Sequence, residues 1–127
     1  MKYFIVFILT SLSIINTLSG QKKSEENLLI RNKVVDFGIV KEDTILNARY
    51  YLMNKGNTEI KINYVNPDCS CTDYYVSNYT IKPNDSIFVD LSFDTKQKYG
   101  VQKLYTIISA DTETKMYKLT LKAIIVR

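Results

Sequence analysis

A two-residue alternation of apolar and polar side chains runs through most of this chain and limits what it can fold into. Ile87, Val89, Leu91 and Phe93 alternate with Ser86, Phe88, Asp90 and Ser92, which places four apolar groups on one face of an extended strand. Tyr117, Leu119, Leu121, Ala123 and Ile125 do the same opposite Lys118, Thr120 and Lys122. Ile60, Ile62 and Tyr64 form a third such face, and Leu46, Ala48, Tyr50 and Leu52 a fourth. Val34 to Val40 and Leu104 to Ser109 are rich in β-branched or aromatic residues but alternate less cleanly, and Asp73 to Ser77 reads as a short edge strand.

Turn residues separate these runs. "NKGN" at Asn54 to Asn57 is suited to positive φ, and "KPND" at Lys82 to Asp85 sets Pro83 to begin a type I turn. No stretch after the amino-terminal segment has the i, i+3, i+4 apolar spacing of a helix, which argues against a parallel βαβ sheet. About seven short strands predict an all-β, immunoglobulin-like antiparallel sandwich. The immunoglobulin hallmarks themselves are missing. There is no Trp, and the two cysteines are too close in sequence to bridge two sheets.

The amino end has a different pattern. Lys2 precedes an apolar run from Tyr3 to Ile15, and Thr17, Ser19 and Gly20 stand just before the polar "QKKSEEN". Those are the three regions of a secretory signal, here a helix cleaved after Ser19 or Gly20. The run is interrupted by Thr10, Ser11 and Ser13 and falls short of the roughly 20 residues a spanning helix needs. The expected layout is a signal peptide at 1–20, a linker at 21–32 and one sandwich domain at 33–127, with no transmembrane span after cleavage. Its location would be periplasmic or extracellular.

Export sets the redox environment of "NPDCSCTDYY", which holds the only cysteines, Cys69 and Cys71. In an oxidising compartment thiols are usually paired or metal-bound. On an extended segment the two Cα atoms would lie roughly 6.6 Å apart, near the upper limit for a disulfide. Bonding therefore requires a tighter loop, and so small a ring stabilises weakly. Four readings stay open: a passive loop clip, a redox pair, an intermolecular link, or a soft-metal site in which Cys69 and Cys71 hold Cu(I). A closed zinc site would need carboxylates such as Asp68 and Asp73, because the chain has no histidine.

The missing histidine also excludes Ser-His-Asp hydrolysis and histidine acid–base catalysis within one chain. Four glycines form no phosphate-binding loop. A net charge of +4 arises from scattered lysines, so no nucleic-acid partner is expected. Tyr74, Tyr75 and Tyr79 follow the cysteines and could contact a partner or a sugar. Packing at the end of a sandwich that lacks Trp is the more ordinary role for such rings.

Across nearly all of the expected mature chain, "VVDFGIVKEDT", "YYLMNKGNTEIKI", "PDCSCTDY" and "IKPNDSIFVDLSFDTKQKYG" resemble the domain of unknown function 1573 family of exported bacterial proteins. That family's loop usually reads Ser-Cys-Gly-Cys-Thr, followed by a Pro-Gly turn and a strand ending in Phe-Asp-Ser or Phe-Asp-Thr. Cys69, Cys71, Thr72, Pro83, Phe93, Asp94, Thr95 and Gly100 match, while Asp68, Ser70 and Asn84 depart. A side chain at Ser70 makes the tightest turn between the cysteines harder. The resemblance implies an immunoglobulin-like sandwich related to periplasmic-chaperone and cilia-associated interaction domains, and no established reaction. The expectation is a non-catalytic exported binding or scaffolding module of the cell envelope whose partner is another envelope protein. The alternative is a periplasmic thiol-redox or Cu(I)-binding domain built on Cys69 and Cys71.

Overall fold

Strands form where the alternation predicts them. The computed structural model describes residues 27–127, so the expected signal peptide and residues 21–26 of the linker lie outside the described residues. Nine strands follow one another: β1 (Leu28–Ile30), β2 (Val34–Lys41), β3 (Ile45–Asn54), β4 (Ile60–Pro67), β5 (Thr72–Val76), β6 (Thr80–Ile81), β7 (Ser86–Asp94), β8 (Gly100–Ala110) and β9 (Met116–Val126). They form a four-stranded sheet, β1-β3-β7-β5, and a five-stranded sheet, β2-β9-β8-β4-β6. This is the two-sheet layout of an immunoglobulin-like sandwich.

The core is the set of inward positions on both sheets. Leu46, Ala48, Tyr50 and Leu52 on β3 and Ile87, Val89, Leu91 and Phe93 on β7 are buried against Ile108 on β8 and Leu119, Leu121, Ala123 and Ile125 on β9. Apolar burial on this pattern supplies the main driving force for the fold. A 2.7 Å hydrogen bond from the Tyr50 hydroxyl to the Thr120 carbonyl ties β3 to β9 across the layers.

The structure adds two short strands to the seven expected. Leu28 and Ile30, inside the stretch read as linker, are buried on the edge of the first sheet and form β1. Thr80 and Ile81 pair with β4 as β6. The expected antiparallel arrangement also has one exception, since β2 runs parallel to β9. The chain crosses from one sheet to the other between β1 and β2, so no hairpin fixes the direction of β2. Gly38, at φ 67°, sits where the β2–β9 register shifts between Asp36 and Ile39.

Three local expectations change for identifiable reasons. A register shift between Ile62 and Tyr64 turns Tyr64 outward, and Val65 takes the core position instead. Asn54 to Asn57 include no residue at positive φ. Their turn is held by the buried Asn54 side chain, whose Nδ2 donates to the Thr58 and Ile81 carbonyls and whose Oδ1 accepts from Gly56 N. The Lys82–Asp85 turn, closed by Asp85 N donating to Lys82 O, has Asn84 at φ 63° and is therefore type II.

Candidate functional site

The Cys69–Cys71 loop joins β4 to β5 and is pinned at both ends. Asp68 N donates to the Tyr105 carbonyl (2.9 Å), and Tyr105 N returns a bond to Asp68 Oδ2 (3.1 Å). Both groups of Asp68 are thus committed to β8. At the other end Asp94 N donates to the Cys71 carbonyl, and Thr72 is buried in the sandwich.

Between these anchors Cys69 and Cys71 form a disulfide with Cα atoms 5.1 Å apart. Thr72 N donates to the Cys69 carbonyl (3.1 Å), closing a β-turn that supplies the tightening an extended segment lacks. Ser70 occupies the middle of the ring without positive φ, so its side chain is no obstacle to the bond. The bridge closes three residues and contributes about 1.5 kcal/mol in the chain-entropy account, against about 3 for a 15-residue loop.

The two sulfurs have different surroundings. Cys71 packs against the hydrophobic core, with its Sγ 3.9 Å from Thr72 Oγ1. Cys69 lines an open depression of about 540 Å³ with Pro67, Ser70, Thr72, Asp73 and Tyr74. Cys71 N also donates to Cys69 Sγ at 3.1 Å. In the disulfide neither sulfur is a thiolate, so Cu(I) ligation would require prior reduction. Among the described residues no three Cys, Asp or Glu side chains converge.

The three tyrosines do not form one surface. Tyr74 is 46% exposed and walls the depression beside Cys69. Tyr75, 60% exposed, lies on the outer face of the first sheet against Phe88, at 6.1 Å between ring centroids. Arg49 stacks on the same Phe88 ring while forming a bidentate pair with Asp90. Tyr79 is exposed in the connection before β6, where its carbonyl accepts from Ile62 N.

Asp73 to Ser77 is the edge strand the sequence predicts, and the structure adds which of its main-chain groups stay open. Asp94 N donates to Cys71 O and Ser77 N to Phe88 O. Pairing alternates along an antiparallel ladder, so the main chain of Asp73 and Tyr75 faces β7, while that of Thr72, Tyr74 and Val76 faces away. β5 is an edge strand with no Lys, Pro or bulge in "TDYYV". The other edges are blunted: β1 has three residues, β2 is interrupted at Gly38, and β4, beyond its short pairing with β6, ends in Pro67. The absence of lysine and proline from that run was the available signal.

This architecture defines an immunoglobulin-like sandwich. Residues 28–125 match the family described as "Protein of unknown function (DUF1573)", and the chain belongs to that family. No curated protein matches the sequence. A Porphyromonas gingivalis W83 protein of unknown function is similar in structure, with a TM-score of 0.69 at 14% identity over 77% of this chain and 46% of that one. The ASH/PapD-like domain 7 of human CEP192 gives 0.61 at 13% identity over 80% and 86%. The secreted serine protease VesC of Vibrio cholerae gives 0.60 at 17% identity over 78% of this chain and 23% of that one. This chain thus spans under half of the P. gingivalis protein and under a quarter of VesC. Identities this low report the fold alone.

Proposed function

We propose that this chain is a binding module of the bacterial cell envelope that takes up an extended segment of another envelope protein along β5. The observation that carries this reading is the open main chain of Tyr74 and Val76. Strand addition draws its affinity from such groups and its selectivity from neighbouring side chains. Tyr74 and Tyr75, half exposed on opposite faces of β5, are large and stiff enough to grip an incoming strand from either side. Export to the periplasm or cell exterior is supported by the amino-terminal pattern and by the Cys69–Cys71 bond, which suits an oxidising compartment.

Site-directed photo-crosslinking in intact cells tests this. A crosslinker at position 75 should yield a discrete protein adduct, and Tyr74→Pro should remove it by deleting an outward N–H without touching the β7 ladder. Adducts that survive Tyr74→Pro, or that arise equally from Tyr99, an exposed ring just before β8 and away from β5 in sequence, would sink the reading. Fractionation should find the processed chain outside the cytoplasm.

A further inference from the structure

We infer that the Cys69–Cys71 disulfide is an exchange centre that oxidises dithiols of protein substrates, with Cys69 the sulfur that bonds to the substrate. Three independent observations carry this. The bridge spans only three residues, so little entropy of the unfolded chain holds it closed. Half-buried Cys69 lines an open depression, and bridges that a thiol can reach are the more easily reduced ones. Finally, Cys71 N points at Cys69 Sγ from 3.1 Å, a contact that grows stronger when that sulfur becomes a thiolate. All three favour the reduced form relative to a buried, long-loop staple, and so make the oxidised form a disulfide donor.

The asymmetry of the two sulfurs fixes the order of events. A substrate thiol loses its proton and its thiolate attacks Cys69 Sγ, which the depression leaves open. The Cys69–Cys71 bond breaks, its electron pair goes to Cys71 Sγ, and that thiolate takes a proton from solvent beside Thr72 Oγ1. The second substrate thiolate then attacks the substrate sulfur of the mixed disulfide. Cys69 departs with that electron pair, held by Cys71 N–H until it is protonated. Two electrons and two protons pass from the substrate dithiol to the chain, and the substrate gains the disulfide. Reoxidation by another disulfide runs the same steps backwards.

Nothing in this chemistry requires strand addition at β5, so the two readings fail separately. The test uses the processed chain and both single variants. In a mixture of reduced and oxidised glutathione, quenched with a maleimide, the wild-type pair should become reduced at ratios that leave a buried structural disulfide intact. The oxidised chain should convert a reduced dithiol peptide to its disulfide stoichiometrically. Cys71→Ser, treated with glutathione disulfide, should form its mixed disulfide at Cys69 at least tenfold faster than Cys69→Ser does at Cys71. Circular dichroism would confirm that both variants keep their sheet content. A pair that stays oxidised in excess reduced glutathione, a peptide left reduced, or equal rates for the two variants would overturn the proposal.

Discussion

The Tyr50 hydroxyl on β3 donates to the Thr120 carbonyl on β9 at 2.7 Å, the one point at which a core aromatic ring is bonded to the opposite sheet among the hydrogen bonds described above. Tyr50 belongs to the hydrophobic core and is 1% exposed. Replacing it with Phe keeps the ring and removes the cross-layer bond, leaving the Thr120 carbonyl with its ladder partner on β2. The expected loss is about 0.5–1.5 kcal/mol, the net worth of one hydrogen bond. Urea unfolding reads this directly, and an unmoved midpoint would contradict it.

The same residue predicts an alkaline limit. Burial pushes Tyr50 from 10.0 up to about 12. Its pKa is higher in the folded state, so the unfolded chain releases the proton first. The stabilisation is complete below about pH 10 and declines as pH rises toward 12. A chemical-denaturation series across that window should show a steeper fall for wild type than for Tyr50→Phe.

Asn54 is fully buried and satisfies two carbonyls and one N–H around the β3–β4 turn. Truncation to Ala leaves all three without their partner, so a loss of about 3 kcal/mol is expected. The neighbouring Asn57→Ala, on an exposed position, should stay within about 0.5 kcal/mol of wild type. Similar unfolding midpoints for the two variants would refute this account of the turn.

At Asn84, φ is 63° in a type II turn led by Pro83. Glycine fits that conformation, so Asn84→Gly should lie within about 0.5 kcal/mol of wild type. A β-branched residue does not fit, and Asn84→Val should cost about 1–2 kcal/mol. Thermal melts of the pair decide it, and equal melting temperatures would contradict the turn type.

Replacing both Cys69 and Cys71 with Ser should lower stability by no more than about 2 kcal/mol, because the ring is so short. A much larger loss in urea unfolding would make the bridge a structural staple and weaken its assignment as an exchange centre.

Period-two patterning made the sandwich legible because side-chain alternation is the direct imprint of a sheet with one buried face. It failed at Tyr64, where one extra residue in β4 inverts the faces, because a bulge leaves no mark on an apolar count. It also passed over Leu28 and Ile30, since three residues are too few to show a period. The family motif becomes physical in the structure. Phe93 fills the core, and buried Thr95 locks the β2–β3 connection by donating from Oγ1 to the Thr44 carbonyl and accepting from Thr44 N. At the candidate site the sulfur pair was visible from spacing. Its closure was not, because it depends on a turn hydrogen bond and on the Asp68–Tyr105 clamp, which are tertiary.

The parallel seat of β2 on β9 bears on how the molecule comes together. Val34 to Lys41 take their ladder from Thr120 to Val126, so an early stretch of the polypeptide has nowhere to dock until nearly ninety further residues have been made. Until then its main chain lacks its ladder partner, and completion of the second layer waits on the carboxyl-terminal strand. Such distant pairing slows folding. A polypeptide that must remain unfolded while it is handed from one compartment to the next would gain from that delay.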